Sequence, residues 1–369
     1  MRIVIKTNPS FTVPQTAAGI YVHELVSRWI LQDSVSEFTC ITDGDPVAGN
    51  GLCSRTLAVT PAIKGEISAR FWYDVKLPGV LKKEKTGLFI GAESYGSLTA
   101  GTRQLLLVPH LAFLQQRKMF LPHEKIAWLG KMVRKATHVV VPSAFAKAQL
   151  EKHTQLPADK ITVLHAAAGP HYEPVSWAQR EQTKVTYAGA CEYFLCYGTL
   201  YQYRNIGLLL KAFSVFKKWQ KSNMKLVIVG DTPGKYAAEL DMLDTYKYRS
   251  DVEMLDPQNT QTMAQLVAGA YAVVHPSSYE DIGMQALEAM ASGVPVIAAD
   301  AGAIPELCGD AALYAPAGDV EALGQQMIKV YKDESLREQA IEKGKQRATQ
   351  YSWNNQAAQL AALAARLHG

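Results

Sequence analysis

One stretch of the chain, from Tyr271 to Asp300, constrains the fold more than any other. Tyr271 to His275 is a short apolar run that ends at a proline, as a buried strand does. Gly283 opens a segment whose apolar residues recur at helical spacing, and Gly293 follows it like the glycine that ends a helix. The apolar run Val294–Ile297 begins the next strand. This order predicts an α/β fold in which crossover helices join parallel strands.

Strand-like and helix-like segments alternate through both halves of the chain. The predicted strands are Arg2–Lys6, Phe38–Thr42, Thr56–Val59, Leu88–Ile90, Leu105–Val108, His138–Val141 and Ile161–Leu164, then Tyr193–Tyr197, Lys225–Val229, Val252–Leu255, Tyr271–His275, Val294–Ala298 and Ala312–Tyr314. The predicted helices include Ile20–Leu31, His123–Lys135, Ala144–His153, Ile206–Trp219, Thr262–Ala270, Val320–Lys332, Ser335–Gln350 and Trp353–Leu367. The alternation predicts one parallel sheet in each half.

Two carboxylates lie in this central stretch at different places. Glu280 falls on the turn before the predicted helix, and Glu288 falls within the helix. A carboxylate on a loop between a strand end and a helix start lies where an open α/β sheet binds its ligand. Taken alone, Glu280 is equally a helix-capping carboxylate and Glu288 a residue of a solvated helix face.

The spacing of these glutamates and the residues after them resemble a known family. Glu280 and Glu288 form an E-x7-E pair that leads into Ala-Met-Ala-Ser-Gly-Val-Pro-Val-Ile-Ala-Ala-Asp. This stretch is similar to the carboxyl-terminal signature of retaining glycosyltransferases of the GT-B fold, specifically family 4. The resemblance implies two Rossmann-like domains that face each other across a cleft. It also implies a catalytic Glu280 near the donor sugar and a Glu288 that holds hydroxyls of the nucleotide ribose.

The chain length of 369 residues favours two domains, each large enough for its own core. Prolines and the polar run Gln179–Lys184 interrupt the periodicity between Gly169 and Glu192, which predicts the boundary there. We expect residues 1–170 to form the acceptor-side domain and residues 190–350 the nucleotide-sugar-binding domain. The last segment, residues 351–369, resembles the terminal helix of the family, which crosses back to the first domain.

The resemblance places the donor diphosphate against Gly198, Thr199 and Arg204. In the family an Arg–Lys pair at these places neutralises the leaving nucleoside diphosphate. Arg204 matches the lysine with its charge kept, whereas Thr199 stands where the arginine is expected. Half of the usual clamp is therefore absent, and its loss weakens the stabilisation of the leaving group unless another group compensates. Arg204 is taken as catalytic and Thr199 as donor-binding; the plain alternative for Arg204 is a surface arginine.

Two residues of the first half also match family positions. Gly19 follows a loop from Thr7 to Ala18 and corresponds to the glycine-rich loop that approaches the diphosphate, at the positive end of the next helix. His110 follows the strand Leu105–Val108 and resembles the histidine that reaches the donor sugar, so it is assigned sugar positioning. A plain helix-entry glycine and a structural histidine are the alternatives.

The segment Asp281, Ile282, Gly283, Met284 and Gln285 replaces the family's usual Gly-Phe-Gly-Leu-Pro. Its kept glycine leaves backbone amides at a helix start that can bind sugar hydroxyls, so the first four of these residues are taken as donor-binding. Aspartate tolerates a positive φ less well than glycine. The substitution at position 281 therefore bears on sugar specificity.

Charge and cysteine content bear on location. Residues 1–180 carry 21 Lys and Arg against 13 Asp and Glu, a balance of +8, while the remainder carries 17 against 21, or −4. The basic segment Gln115–His138 is interleaved with apolar and aromatic residues, and Arg70–Lys85 is similar, which favours peripheral contact with an anionic membrane; solvated helix faces are the alternative. Five cysteines without a CxxC pair indicate free thiols in a reducing cytoplasm.

Other sites are disfavoured by the sequence. The stretch Gly230–Lys235 is one residue too short between its glycines for a P-loop, and Tyr236 stands where a Ser or Thr binds magnesium. No G-x-G-x-x-G pattern follows the first strand, which disfavours a dehydrogenase. Nothing resembles an Asp-x-Asp or His/Cys metal motif, so we expect no metal, no cofactor besides the donor, and no nucleic-acid partner.

The resemblance implies transfer of a hexose from GDP-mannose or a UDP-hexose, with retention, to a glycan or polyprenyl-linked acceptor of a bacterial envelope polysaccharide. Three alternatives stay open. A nucleotide-sugar epimerase of the same fold needs no acceptor. A glycoside hydrolase also uses paired carboxylates but has no need of the cation Arg204. A non-catalytic assembly protein would bind the donor without turnover.

Overall fold

The computed structural model describes residues 1–7, 16–44, 53–92, 94–111, 123–200, 204–231 and 241–368. The chain divides into two compact units. Unit 1 consists of Met1–Ala166 and Trp353–Gly369, and unit 2 consists of Ala167–Ser352. Each unit is built around its own parallel sheet.

The sheet of unit 1 has seven parallel strands in the order β3-β2-β1-β4-β5-β6-β7. The strands are β1 (Arg2–Lys6), β2 (Glu37–Asp43), β3 (Arg55–Val59), β4 (Leu88–Gly91), β5 (Arg103–Leu107), β6 (His138–Val141) and β7 (Ile161–Val163). All four residues of β4 and of β6 are buried, as expected for a sheet covered by helices on both faces. The strand order reverses between β1 and β4, so the crevice at their carboxyl ends is the topological switch point of this sheet.

The helices of unit 1 are α1 (Ala17–Gln32), α2 (Glu66–Phe71), α3 (Leu77–Lys83), α4 (His123–Lys135) and α5 (Ala144–Thr154), and a π-helical turn over Trp72–Lys76 joins α2 to α3. A short 3₁₀ turn covers Ala158–Lys160. The helix from Glu66 to Lys83 is missing from the sequence prediction. Its apolar residues are divided between a buried side, with Trp72 and Leu77, and an exposed side, which blurs the helical period.

The sheet of unit 2 has six parallel strands in the order β10-β9-β8-β11-β12-β13. The strands are β8 (Tyr193–Tyr197), β9 (Lys225–Val229), β10 (Val252–Leu255), β11 (Ala272–His275), β12 (Val296–Asp300) and β13 (Ala312–Pro316). The first three have the predicted bounds. The strand order reverses between β8 and β11, which makes the crevice at their carboxyl ends the switch point of this sheet.

The described residues form eight further helices, of which seven lie in unit 2 and the last lies in unit 1. They are α6 (Trp177–Ala188), α7 (Ile206–Trp219), α8 (Thr260–Gly269), α9 (Met284–Ala291), α10 (Ile304–Cys308), α11 (Val320–Lys332), α12 (Glu334–Ala348) and α13 (Trp353–His368). Short 3₁₀ turns cover Asp241–Leu243, Arg249–Asp251 and Gly309–Ala311.

The polar run Gln179–Lys184, read from the sequence as an interdomain break, lies inside α6. Ser176 caps this helix, its hydroxyl accepting from the amide of Gln179 and donating to that side chain. The run is polar because much of α6 faces solvent, and polar residues on such a face hide the helical period. The units part at Ala166 and Ala167, a few residues before the predicted boundary.

The terminal helix α13 packs against α1 and is counted with unit 1. The rings of Tyr21 and Trp353 meet edge to face with centroids 6.1 Å apart. Arg28 Nη1 donates to Asn354 Oδ1 at 2.8 Å. These contacts tie the end of the chain to its first helix.

Two of the five cysteines form a disulfide, so the expectation of free thiols was wrong for Cys40 and Cys53. Cys40 lies on β2 and Cys53 precedes β3, and the register pairs Cys40 with Thr56 on the neighbouring strand. The two Cα atoms are 5.9 Å apart. Spacing in the sequence does not show this proximity, which arises because β2 and β3 are adjacent. The argument from thiols for a reducing compartment therefore falls away.

Candidate active site at the carboxyl edge of the second sheet

The switch point of unit 2 gathers chain segments that are far apart in sequence. β8 ends at Tyr197, and Gly198 and the half-buried Thr199 follow it directly. β11, its neighbour in the sheet, ends at His275. Parallel strands place their carboxyl ends at one edge, so residues after β8 and β11 meet there.

Arg204 is the buried cation of this edge, with 5% of its surface exposed. It lies just before α7; its Nη1 donates to Ser277 Oγ at 3.3 Å and lies 3.0 Å from His275 Nε2. Among the described residues, the nearest carboxylate oxygen, Glu280 Oε2, is 3.9 Å from Nη1. Arg204 is therefore a buried residue of the site, which excludes the plain surface arginine.

Glu280 is held by groups on both carboxylate oxygens. Oε1 accepts from the amides of Ile282 at 3.2 Å and Gly283 at 3.1 Å. Oε2 lies 3.2 Å from His275 Nε2. Burial by itself would raise the pKa of Glu280, but the hydrogen bond and charge of His275, the charge of Arg204 and the Gly283 amide lower it to about 2. Glu280 is an ionised carboxylate that caps the start of α9 and approaches the buried cation.

His275 is a site residue that the sequence prediction missed. Its Nε2 atom lies between the Arg204 guanidinium and the Glu280 carboxylate. Burial, followed by the charge of Arg204, lowers the pKa of His275, although Glu280 opposes the shift. In a neutral ring Nε2 either accepts from Arg204 or donates to Glu280, because it has one proton or one lone pair. The available signal was its place at a strand end, five residues before Glu280.

Glu288 is buried within α9, so it does not belong to a solvated helix face. The hydroxyl of Tyr197 donates to Oε2 at 2.7 Å, and Tyr172 also hydrogen-bonds this carboxyl group. Burial raises the pKa of Glu288 to about 7, and both tyrosine hydroxyls oppose that shift. The sequence prediction missed both tyrosines as partners. Glu288 thus changes charge near neutral pH.

The structure revises the role of Asp281 and its neighbours. Among the described residues of this turn, the left-handed conformation falls on Gly283, with φ +65°, and not on Asp281. Asp281 is buried and accepts from the hydroxyl of Tyr279 at 2.6 Å. The side chains of Ile282 and Met284 are also buried. Replacing glycine at position 281 therefore needs no strained backbone, and the Ile282 and Gly283 amides already bind Glu280.

Two predicted site residues lie in unit 1. Gly19 is in the first turn of α1, which begins at Ala17, earlier than predicted. Its amide donates to Thr16 Oγ1 at 3.1 Å, so that donor has a partner within the chain. His110 is partly buried and follows the carboxyl end of β5 at Leu107, as expected for a strand-end residue.

Some sequence predictions fall outside the described residues. They concern residues 8–15 of the loop before Gly19, the basic and aromatic residues 115–122, and residues 232–235 of the P-loop-like stretch. Within the described ranges, no three His, Cys, Asp or Glu side chains are grouped so that they could hold a metal ion. In the same ranges, no helix combines the length and the apolar character needed for a membrane crossing.

Comparison with known proteins places this site in a recognised region. Residues 180–347, which contain Arg204, His275, Glu280 and Glu288, match the family described as Glycosyl transferases group 1. The chain is 28% identical over 239 residues to the O-antigen chain mannosyltransferase B of Escherichia coli. That match covers 63% of this chain and 63% of the relative, so it spans less than two thirds of either.

Solved structures match the whole length at low identity. The chain is similar to Alr3699/HepE of Anabaena, whose crystal structure contains UDP-glucose, with a TM-score of 0.81, 14% identity, and coverage of 99% of this chain and 100% of that one. WaaG, a glycosyltransferase involved in lipopolysaccharide biosynthesis, gives a TM-score of 0.77 at 15% identity and covers 98% and 99%. Residues 180–347 thus match the glycosyl transferases group 1 family, and the chain as a whole has the GT-B fold.

Proposed function

We propose that the chain is a retaining glycosyltransferase of family 4. It moves a hexose from GDP-mannose or a UDP-hexose to a glycan or lipid-linked acceptor during synthesis of a bacterial envelope polysaccharide. The observation that carries the proposal is the buried cluster of Arg204, His275 and Glu280 at the switch point of unit 2. A buried cation at a sheet edge from which helices begin suits the diphosphate of a nucleotide sugar.

The reaction breaks the bond between the anomeric carbon and the donor phosphate oxygen. The diphosphate leaves with the electron pair, and Arg204 and the N-termini of α7 and α9 stabilise its negative charge. Glu280, ionised beside the cluster, stabilises the positive charge on the sugar ring. The acceptor hydroxyl attacks from the same face and passes its proton to a donor phosphate oxygen, which retains the anomeric configuration. His110 positions the sugar, and no step uses a metal ion.

The relatives favour different donors within one class. The Escherichia coli relative is named as an O-antigen chain mannosyltransferase, which favours GDP-mannose and a polysaccharide acceptor. The Anabaena structure was solved with UDP-glucose, which favours a UDP-hexose. Glu288, between the hydroxyls of Tyr172 and Tyr197, is the proposed partner of the ribose hydroxyls, which both donors share.

The test is a thermal-shift panel followed by turnover. The panel contains GDP-mannose, UDP-glucose, UDP-galactose, GDP and UDP, with and without EDTA. Turnover is then measured with polyprenyl-linked glycans, and NMR of the product reads the anomeric configuration. A stabilising nucleotide sugar that is consumed only with acceptor, in EDTA, with a retained anomer, supports the proposal.

Three results would identify the alternatives instead. An epimerised sugar from donor alone indicates an epimerase. Hydrolysis of a glycan without any nucleotide-dependent stabilisation indicates a glycoside hydrolase. Donor binding without turnover on any lipid or saccharide acceptor indicates a non-catalytic assembly protein.

We also propose that unit 1 makes peripheral contact with an anionic membrane. In the helical segment Glu66–Lys83, Ile67, Phe71 and Val75 recur every four residues and are exposed. The exposed cations Arg70 and Lys76 lie on the same segment. An apolar stripe bordered by cations is typical of helices that lie at a membrane interface.

Liposome co-sedimentation tests this contact. We expect binding to vesicles that contain phosphatidylglycerol, weak binding to phosphatidylcholine alone, and loss of binding when Ile67, Phe71 and Val75 are changed to serine. Val185→Ser, at an exposed apolar position of unit 2, is the matched control. Binding that ignores lipid charge, or that survives the triple change, counts against the contact.

A further inference from the structure

Gln285 is a buried side chain that the proposed reaction leaves unused. It is the second residue of α9, only 7% of its surface is exposed, and it stands where the resembling family has proline. Within the described part of the chain, its buried Oε1 atom has no hydrogen-bond partner. Burying an amide without satisfying it is costly, so a residue of this kind calls for an explanation.

The side-chain amide nitrogen of Gln285 and the guanidinium of Arg204 both lie close to Gly198. A Cβ atom at position 198 would lie 2.9 Å from Arg204 Nη2 and 2.9 Å from Gln285 Nε2. The two nitrogens are therefore at most 5.8 Å apart, twice the distance of 2.9 Å. Gly198 has φ +106°, a conformation that other residues rarely adopt. A side chain at position 198 would clash with both nitrogens, so only glycine lets the two donors pack together against this strand end.

Separate hydrogen bonds fix the positions of the two donors, Gln285 and Arg204. The hydroxyl of Tyr197, the residue before Gly198, lies 3.1 Å from the carbonyl oxygen of Gln285 and 2.7 Å from Glu288 Oε2, so these two oxygens share its one proton. The contact with Gln285 ties the first turn of α9 to the end of β8. Arg204 is fixed separately by its contacts with His275 and Ser277. The convergence on Gly198 is thus a feature of the fold and not of two loose side chains.

The two donors, Arg204 Nη2 and Gln285 Nε2, are the kind of groups that bind an oxyanion. Two N–H donors at most 5.8 Å apart can each bind an oxygen of one phosphate group. Arg204 Nε is a further buried donor with no partner among the described residues. Among the described residues, the carboxylate oxygen that pairs with Arg204 is Glu280 Oε2, and it lies 3.9 Å from the other guanidinium nitrogen, Nη1.

We propose that Gln285 is a phosphate-binding residue that acts with Arg204 on the diphosphate of the donor. This inference rests on the proposed function, because that function supplies the nucleoside diphosphate. Gln285 provides a neutral donor at a site whose cation is already buried, so it adds a hydrogen bond without a second positive charge to desolvate. Because Gln285 binds one oxygen of the phosphate group, it also determines which other oxygen Arg204 Nη2 can bind.

The test compares Gln285→Met with the wild type in the full chain. Methionine keeps the length of the side chain and removes both polar atoms. Calorimetry or thermal shift measures the affinity for UDP, GDP, inorganic pyrophosphate, and the nucleosides uridine and guanosine. We expect roughly a tenfold to hundredfold loss of affinity for the bound nucleoside diphosphate, since one hydrogen bond to a charged group is removed. Nucleoside binding stays unchanged. An equal loss for pyrophosphate shows that the site recognises the phosphates themselves.

Gln356→Met is the matched control. Gln356 lies on α13 in unit 1, is 8% exposed, and also has a buried Oε1 without a partner among the described residues. We expect this change to leave nucleotide affinity unaltered. The unliganded melting temperature of Gln285→Met should not fall, because an unsatisfied amide is removed; a fall with unchanged affinity indicates a structural residue and overturns the inference.

The remaining outcomes separate the two proposals. If the wild type turns over a nucleotide sugar and Gln285→Met binds UDP and GDP as tightly, the proposed function stands and the role of Gln285 is overturned. If no donor is turned over but pyrophosphate or nucleoside diphosphate affinity depends on Gln285, the anion site stands and the transferase does not. Wild-type protein that binds none of the phosphate compounds overturns both.

Discussion

Each unit places a buried cation near the switch point of its sheet, and the two cations have different partners. In unit 1, Lys6 ends β1 at the switch point and is 1% exposed. It forms an ion pair with Asp43 and donates to the carbonyl of Thr7 at 3.0 Å. The other oxygen of Asp43 accepts from the amide of Ile63 at 3.0 Å. Groups of the chain itself satisfy both Lys6 and Asp43, so we call this ion pair closed.

In unit 2 the corresponding cation is only partly satisfied. Arg204 Nη1 lies 3.0 Å from His275 Nε2, its nearest carboxylate oxygen among the described residues is 3.9 Å away, and Glu280 is itself held by two amides. A buried cation that is fully paired stabilises its fold, whereas one with spare donors retains electrostatic capacity for an anion. The same fold thus supports a structural ion pair in one unit and a candidate phosphate site in the other.

The largest expected effect is on the closed pair. Asp43→Ala leaves Lys6 buried and uncompensated, so we expect the free energy of unfolding to fall by about 3–5 kcal/mol. Urea unfolding followed by tryptophan fluorescence measures the change. The double variant Lys6→Met with Asp43→Ala should recover much of the loss. A single-variant cost below about 1 kcal/mol would show that the pair in unit 1 is not closed.

Substituting Arg204, the partly satisfied cation of unit 2, should affect turnover more than stability. Arg204→Met removes the positive charge that faces the leaving diphosphate, so we expect kcat to fall roughly 100- to 1000-fold. The free energy of unfolding should fall less than in Asp43→Ala. Arg204→Lys, which keeps the charge, should retain more activity than Arg204→Met. Turnover by the methionine variant close to wild type would contradict a role at the diphosphate.

Glu288 gives a pH dependence of known sign. Its folded pKa of about 7 lies above the ordinary value of 4.5, so its neutral form stabilises the fold. That contribution is present in full below pH 4.5 and is lost as pH rises through about 7, an effect on the order of 3 kcal/mol. Glu288→Gln should flatten this loss in unfolding curves measured between pH 5 and 8. Glu280, whose pKa is lowered, adds no slope in that window. An unchanged slope in the variant would contradict the assignment.

The smallest expected effect concerns His275. Its Nε2 serves either Arg204 or Glu280, so an amide with both a donor and an acceptor can replace it. We expect His275→Gln to stay within a few-fold of wild-type UDP or GDP affinity, and His275→Leu to lose roughly tenfold. Calorimetry measures both. Equal affinity in the two variants would show that His275 does not organise the cation.

Much of the fold follows from local sequence pattern. The bounds of β1, β8, β9, β10, α4, α7 and α11 were predicted correctly, because apolar period and turn residues act over a few neighbouring positions. The helix α6 and the segment Glu66–Lys83 were missed, since solvent-facing polar residues or exposed apolar residues obscure the period. The disulfide of Cys40 and Cys53 was missed because only sheet pairing shows their proximity.

The sequence by itself determined the α/β class, the approximate places of the strands, and the candidate residues Arg204, Glu280 and Glu288 on turns and on a helix. Only the tertiary structure decided the state of those residues. His275 reaches Arg204 across 71 positions of sequence, and Tyr197 reaches Glu288 across 91. Ionisation and hydrogen bonding depend on distance and burial in space, which adjacent strands create and which local pattern does not encode.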